Sequence, residues 1–165
     1  MTNRHGLTLV EMLMALAIVA MLLAAVAVAM NGSFISMREN DRTLALAQVS
    51  RWNLSRMAAD IRTADAISTT SSSLTITPPA NPEGLTQIRY VLQDGDLCCQ
   101  RTISGVTQTQ VLLSADDPIR ASSLAVATLW EDSVIRSVTV TLGLNQEGRS
   151  YSFTASASPR RNQDY

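Results

Sequence analysis

Residues 6–30 read GLTLVEMLMALAIVAMLLAAVAVAM, and between Leu7 and Met30 only Thr8 and Glu11 interrupt the apolar run. At 1.5 Å per residue a helix over this stretch is about 36 Å long, enough for the roughly 30 Å hydrocarbon core of a bilayer. It contains no Pro or Gly and is apolar on every side rather than along one stripe, which suits lipid or a buried bundle position. Arg4 precedes it, so the positive-inside tendency puts residues 1–6 in the cytoplasm and everything after Asn31 across the membrane.

Three readings of this segment compete, and Glu11 separates them. Ala25-Val26-Ala27 and Ala27-Val28-Ala29 have the small-x-small form of a secretory cleavage site, which would start a mature protein near Val28 or Met30. An ordinary signal core, however, is roughly 7 to 15 residues long and follows a more basic leader. A plain single-pass anchor is the second reading. Neither has a use for an acid, because a carboxylate in a membrane is costly unless paired or protonated. The third reading supplies a partner. A cut after Gly6 would create an α-amino group on Leu7, four residues before Glu11. Within one helix that amine sits at the positive dipole end and Glu11 helps offset it. Between neighbouring helices, the carboxylate of one chain meets the amine of the next, so both charges are satisfied only on assembly.

Gly6-Leu7-Thr8-Leu9-Val10-Glu11, followed by an uninterrupted apolar helix, resembles the class III signal of type IV pilins and of the pseudopilins of type II secretion systems. The resemblance implies that a membrane prepilin peptidase and methyltransferase cuts after Gly6 and methylates Leu7, with Glu11 as the charge-pairing acid of assembly. It further implies a bacterial inner-membrane protein with a cytoplasmic N-terminus and a periplasmic head, assembled into a periplasmic or surface filament. Its partners would be membrane lipid, other pilins or pseudopilins and an inner-membrane assembly platform. Two features depart from the family pattern. Leu7 stands where Phe is usual, and no Pro loosens the helix before Pro78. Asn31 and Gly32 are the only helix-weakening pair nearby.

From Ser33 to Ile67 there is no Pro or Gly, and Leu46, Val49, Leu54, Met57, Ile61 and Ala64 recur at spacings close to three and four. This predicts an amphipathic helix over residues 31–67, continuous with the membrane helix over 7–30 and roughly 90 Å long in all. Arg38, Arg42, Arg51, Arg56 and Arg62 alternate with Glu39, Asp41, Asp60 and Asp65 as a solvated mixed-charge face, with Arg38–Asp41 as one pair. A polar breaker follows at residues 68–73, then a short strand at Leu74-Thr75-Ile76-Thr77 and a loop marked by Pro78, Pro79 and Pro82. Residues 86–93 and 96–102 flank Asp94-Gly95, the turn chemistry of a tight hairpin. Further strands are expected at 107–113, 123–130, 134–142 and 149–157, with a turn across 143–148. The expected fold is α+β and pilin-like: a cleaved leader over 1–6, a long N-terminal helix, and a mostly antiparallel β-sheet head over 68–165 packed on the helix's second half. Residues 56–64, the run from Gln87 to Leu97 and Arg160-Arg161-Asn162 loosely resemble minor pilins and the J-type minor pseudopilin.

Composition closes off most other chemistry. Thirteen basic residues, all Arg, against 14 acidic ones give a net charge of -1, so direct nucleic-acid binding is not expected. Two Cys and one His cannot build a structural zinc site. Adjacent Cys98 and Cys99 point to opposite faces of a strand, giving one buried and one partly exposed thiol, with an intermolecular bridge or vicinal disulfide as the redox alternative. Asp94, Asp96, Asp116 and Asp117 lack the loop pattern of a calcium site. His5 lies in the leader, leaving no base for a Ser nucleophile. Trp52 and Trp130 are expected as core anchors between helix and sheet. No catalytic residue, metal or cofactor is expected, and no enzyme activity. The expected role is a minor filament subunit, most simply a type II secretion pseudopilin supporting protein export. The alternatives are a minor type IV pilin priming pilus assembly and, from another class, an anchored or secreted periplasmic binding domain.

Overall fold

The computed structural model describes residues 8–160. A single helix, α1, covers Leu9–Arg62. Eight strands follow: β1 Ala66–Thr70, β2 Ser73–Thr77, β3 Leu85–Gln93, β4 Asp96–Ile103, β5 Val106–Leu113, β6 Ile119–Glu131, β7 Val134–Gln146 and β8 Arg149–Ala157. The chain divides into two compact units, Met1–Ala45 and Leu46–Tyr165.

In the first unit α1 runs through Asn31 and Gly32 without a break, and its residues from 9 to 38 are exposed on every side. No described residue buries this apolar stretch near the N-terminus, and the helix is long and apolar enough to cross a membrane. Just beyond this stretch, Glu39 and Arg42 form an ion pair at 3.7 Å, about 40% exposed on each side. Such a pair contributes little.

In the second unit the helix meets two antiparallel sheets, one ordered β1-β2-β3-β4-β5 and one ordered β6-β7-β8. The fold is α+β and consistent with a pilin-like arrangement, with two sheets where the strand pattern suggests one. Leu46, Leu54, Met57, Ala58 and Ile61 on the helix are buried against Leu74, Ile76, Ile88, Tyr90, Leu97 and Cys99 of the larger sheet and Val138, Val140, Leu142 and Leu144 of the smaller. The helical stripe is therefore the core face, with Val49 at its partly buried margin. The centre of the larger sheet is in regular register, with bulges toward its margins at Thr86 of β3 and Leu112 of β5. The row Thr69-Leu74-Tyr90-Cys99-Gln110 lies on the helix side, and the row Ser68-Thr75-Arg89-Gln100-Thr109 on the other.

The helix ends at Arg62, before the expected Ile67, which lies in β1. The polar stretch after it is mostly strand: only Ser71 and Ser72 turn, while Thr70 and Ser73 share a 2.7 Å hydroxyl hydrogen bond across the β1–β2 pair. Ser and Thr here are paired across strands instead of breaking the chain. The expected turn over 143–148 narrows to Glu147-Gly148, because β7 continues to Gln146. Gly143 is inside that strand for a steric reason: a Cβ there would run into the Ser122 and Ser123 hydroxyls at the β6 bulge.

Asp94-Gly95 is the expected tight hairpin, with φ of 53° and 88° and Gln93 paired to Asp96. The β6–β7 turn is built the same way from Asp132 and Ser133, at φ of 51° and 66°, but without a glycine. An L-residue in the left-handed region costs about 1–2 kcal/mol. Ser133→Gly is accordingly expected to stabilise the fold by about 0.5–1 kcal/mol after the added unfolded-state entropy, visible as a rise of a few degrees in Tm.

Both Trp side chains are corrected by the structure: Trp52 and Trp130 are each 58% exposed and anchor no core. Trp52 sits one position off the buried stripe, and each residue turns the helix by about 100°. Trp130 is the penultimate residue of β6, where its indole N–H donates to Thr128 Oγ1 at 3.0 Å, and the extra residue of the bulge beside it, Arg136, belongs to β7.

Candidate functional site

The expected cleavage position Gly6 and methylation position Leu7 lie outside the described residues; Glu11, the expected charge-pairing acid, lies within them. Thr8 immediately precedes α1, and Glu11 is the third residue of the helix. The Thr8 amide donates to Glu11 Oε2 at 2.9 Å, the Thr8 hydroxyl donates to the same oxygen at 3.1 Å, and the Glu11 amide donates to Thr8 Oγ1 at 3.3 Å. This reciprocal arrangement is a capping box, which satisfies amides the first turn of a helix otherwise leaves without partners. Glu11 thus has a partner inside its own chain that the charge argument alone does not supply. The signal was present in the sequence as Thr-x-x-Glu ahead of an apolar run. Only Oε2 is used; Oε1 accepts no hydrogen bond among the described residues. One carboxylate can therefore cap its own helix and still offer an oxygen to a cation on a neighbour.

A second cluster ties the helix to the larger sheet. Trp52, Arg56 and Asp60 recur every four residues and so share one helix flank, facing the Tyr90-Cys99-Gln110 row. The Tyr90 hydroxyl donates to Asp60 Oδ2 at 2.6 Å. Arg56 Nη2 donates to Gln110 Oε1 at 3.0 Å and lies 3.8 Å from Cys99 Sγ, with its guanidinium 5.7 Å from the Trp52 ring centroid. Arg56 and Asp60 are therefore not part of a merely solvated face; they clamp α1 across β3, β4 and β5. Burial, then the Asp60 hydrogen bond and charge, push the Tyr90 phenol well above its ordinary value near 10. A phenol that holds its proton more tightly when folded supports the fold fully below pH 10. Above that, the unfolded chain loses the proton first and stability falls. The full chain is expected to lose about 1.4 kcal/mol per pH unit above pH 10, and Tyr90→Phe to remove that slope, as read from unfolding midpoints across the alkaline range.

Cys98 and Cys99 are free and both buried, at 5% and 0% exposure, which corrects the expected split between one buried and one partly exposed thiol. They occupy adjacent positions of β4 and so point to opposite faces, yet both faces are covered there. Burial, together with Asp96 and Asp94, raises the Cys98 thiol above its ordinary value, which disfavours the reactive thiolate. Neither thiol is placed for an intermolecular bridge.

The acids weighed for calcium serve the turns. Asp96 Oδ1 accepts from the Ala115 amide at 2.6 Å, and Asp117 Oδ2 from the Ser114 amide at 3.1 Å. Among the described residues no group of three or more His, Cys, Asp or Glu side chains is placed to hold a metal ion.

Comparison with known proteins bears on the N-terminal site. Residues 1–27 match a family model described as the prokaryotic N-terminal methylation motif. Neither the curated proteins nor the solved structures include a match to the chain. The chain carries a type IV pilin-like prepilin signal, and its apolar N-terminal helix fits a single-pass inner-membrane anchor.

Proposed function

We propose that this chain is a non-enzymatic minor subunit of a type IV pilin-like filament, and specifically a pseudopilin of a type II secretion system. The observation that carries the reading is the methylation motif over residues 1–27 coinciding with an acid whose geometry leaves one oxygen available. The prepilin peptidase cuts after Gly6 and methylates Leu7, leaving a cationic amine at the start of the mature chain. Glu11 Oε2 caps α1, and Oε1 accepts from the amine of the adjacent subunit. Lipid offers no such partner, so leaving the bilayer is favourable only beside another pilin or pseudopilin at the assembly platform. The periplasmic head then presents its sheets to sister subunits, and growth of a short filament supports export of folded proteins.

Intact-mass and N-terminal peptide spectrometry of the protein, taken from membranes of a host with its own prepilin peptidase, tests this. A start at Leu7 with one added methyl group is the expected result. A start near Val28 or Met30 would make this a secreted soluble domain, and an intact Met1 an ordinary anchored one; either overturns the filament reading.

A further inference from the structure

A groove lies between the second half of α1 and β8. It is about 380 Å³ in volume, and residues 153–156 of β8 line one wall. Four consecutive strand residues line a groove together only when the strand turns its backbone edge toward it, because side chains alternate between faces. That edge is free. β8 is the last strand of its sheet, and apart from its ladder to β7 it makes no backbone hydrogen bond among the described residues. The opposite wall is one helix face on which Ala47, Ser50, Ser55 and Ala58 leave room. Arg51 and Arg62 lie on the same wall, neither has an ion pair or hydrogen bond among the described residues, and no carboxylate lines the groove.

An unpaired strand edge is a template for another strand. Here the template is bordered by two unpaired cations, and that sets the chemistry of the occupant. We infer that the groove between α1 and β8 takes an extended, acidic segment of a different polypeptide, which adds to β8 as a fourth strand of the smaller sheet and directs carboxylates at Arg51 and Arg62. A second copy of this chain matches poorly, because among its other edge strands β1 (AISTT) and β5 (VTQTQVLL) carry no acid and β6 carries only Glu131, at its last residue. The surface does not depend on leader cleavage or on entry into a filament, so its test is separate from that of the proposed function.

The test uses the full chain in detergent micelles and a ten-residue synthetic peptide alternating Glu with Val and Thr, with a Lys-for-Glu peptide as the control. Saturable binding of the acidic peptide is expected, with slowed amide exchange confined to residues 153–156 and the facing turns of α1. Arg51→Glu with Arg62→Glu should weaken binding roughly tenfold or more. Ser55→Trp, at an exposed position on the helix wall, should block the groove with the fold intact by circular dichroism. No binding at millimolar peptide, equal binding of the Lys peptide, or binding without protection at 153–156 each overturns the assignment. Self-association of the chain through this groove would overturn it equally.

Discussion

Glu11→Leu is expected to leave the chain inserted in the membrane and to lower its incorporation into filaments by about tenfold or more, the scale on which a charge left without its partner acts. The structure sharpens this experiment, because Glu11 has two roles that one substitution would confuse. Its Oε2 caps α1 through Thr8, and its charge is what the proposed assembly step uses. Glu11→Gln separates the two, since Gln completes a capping box as Glu does but carries no charge. If charge pairing drives assembly, Gln fails as Leu does. If capping is the whole contribution, Gln restores incorporation, and Thr8→Val, which loses the hydroxyl of the cap, becomes the damaging change. Filament yield per membrane-inserted subunit, measured by shearing and quantitative immunoblot, distinguishes these outcomes. Normal incorporation of both Glu11 variants would remove the assembly role while leaving the fold and the methylation signal untouched.

Met57→Ala is expected to carry the largest stability cost in the second unit, about 3 kcal/mol. Met57 is 0% exposed within the cluster that joins the helix to both sheets. Ala is a stronger helix former than Met, so any loss comes from packing and not from the helix itself. The informative comparison is Trp130→Ala. A core-anchoring Trp would cost about 3–5 kcal/mol when truncated. At 58% exposure, with one local hydrogen bond to Thr128, Trp130 should cost less than about 1 kcal/mol. Urea unfolding of the full chain in detergent, followed by circular dichroism of the sheet signal, measures both. A Trp130→Ala loss as large as that of Met57→Ala would contradict the exposed placement of the indole.

Periodicity made much of the fold legible. An unbroken apolar run, a stripe at helical spacing and Asp-Gly between alternating segments are local patterns, and they placed α1, its buried face and the β3–β4 hairpin. The cap at Thr8 is equally local and readable from Thr-x-x-Glu. What the sequence determined by itself is therefore what neighbours along the chain decide: the membrane-capable helix, the prepilin-type signal, and the strands with glycine turns. Whether Trp52 and Trp130 were inside or out, whether both cysteines were covered, and whether Arg56 and Asp60 met solvent or the Tyr90-Cys99-Gln110 row depended on contacts between residues far apart in sequence. The same holds for the division of the strands into two sheets and for the free edge of β8. Bulges insert Leu112 in β5 and Arg136 in β7, and only the packed tertiary structure decides where such an insertion lowers the free energy.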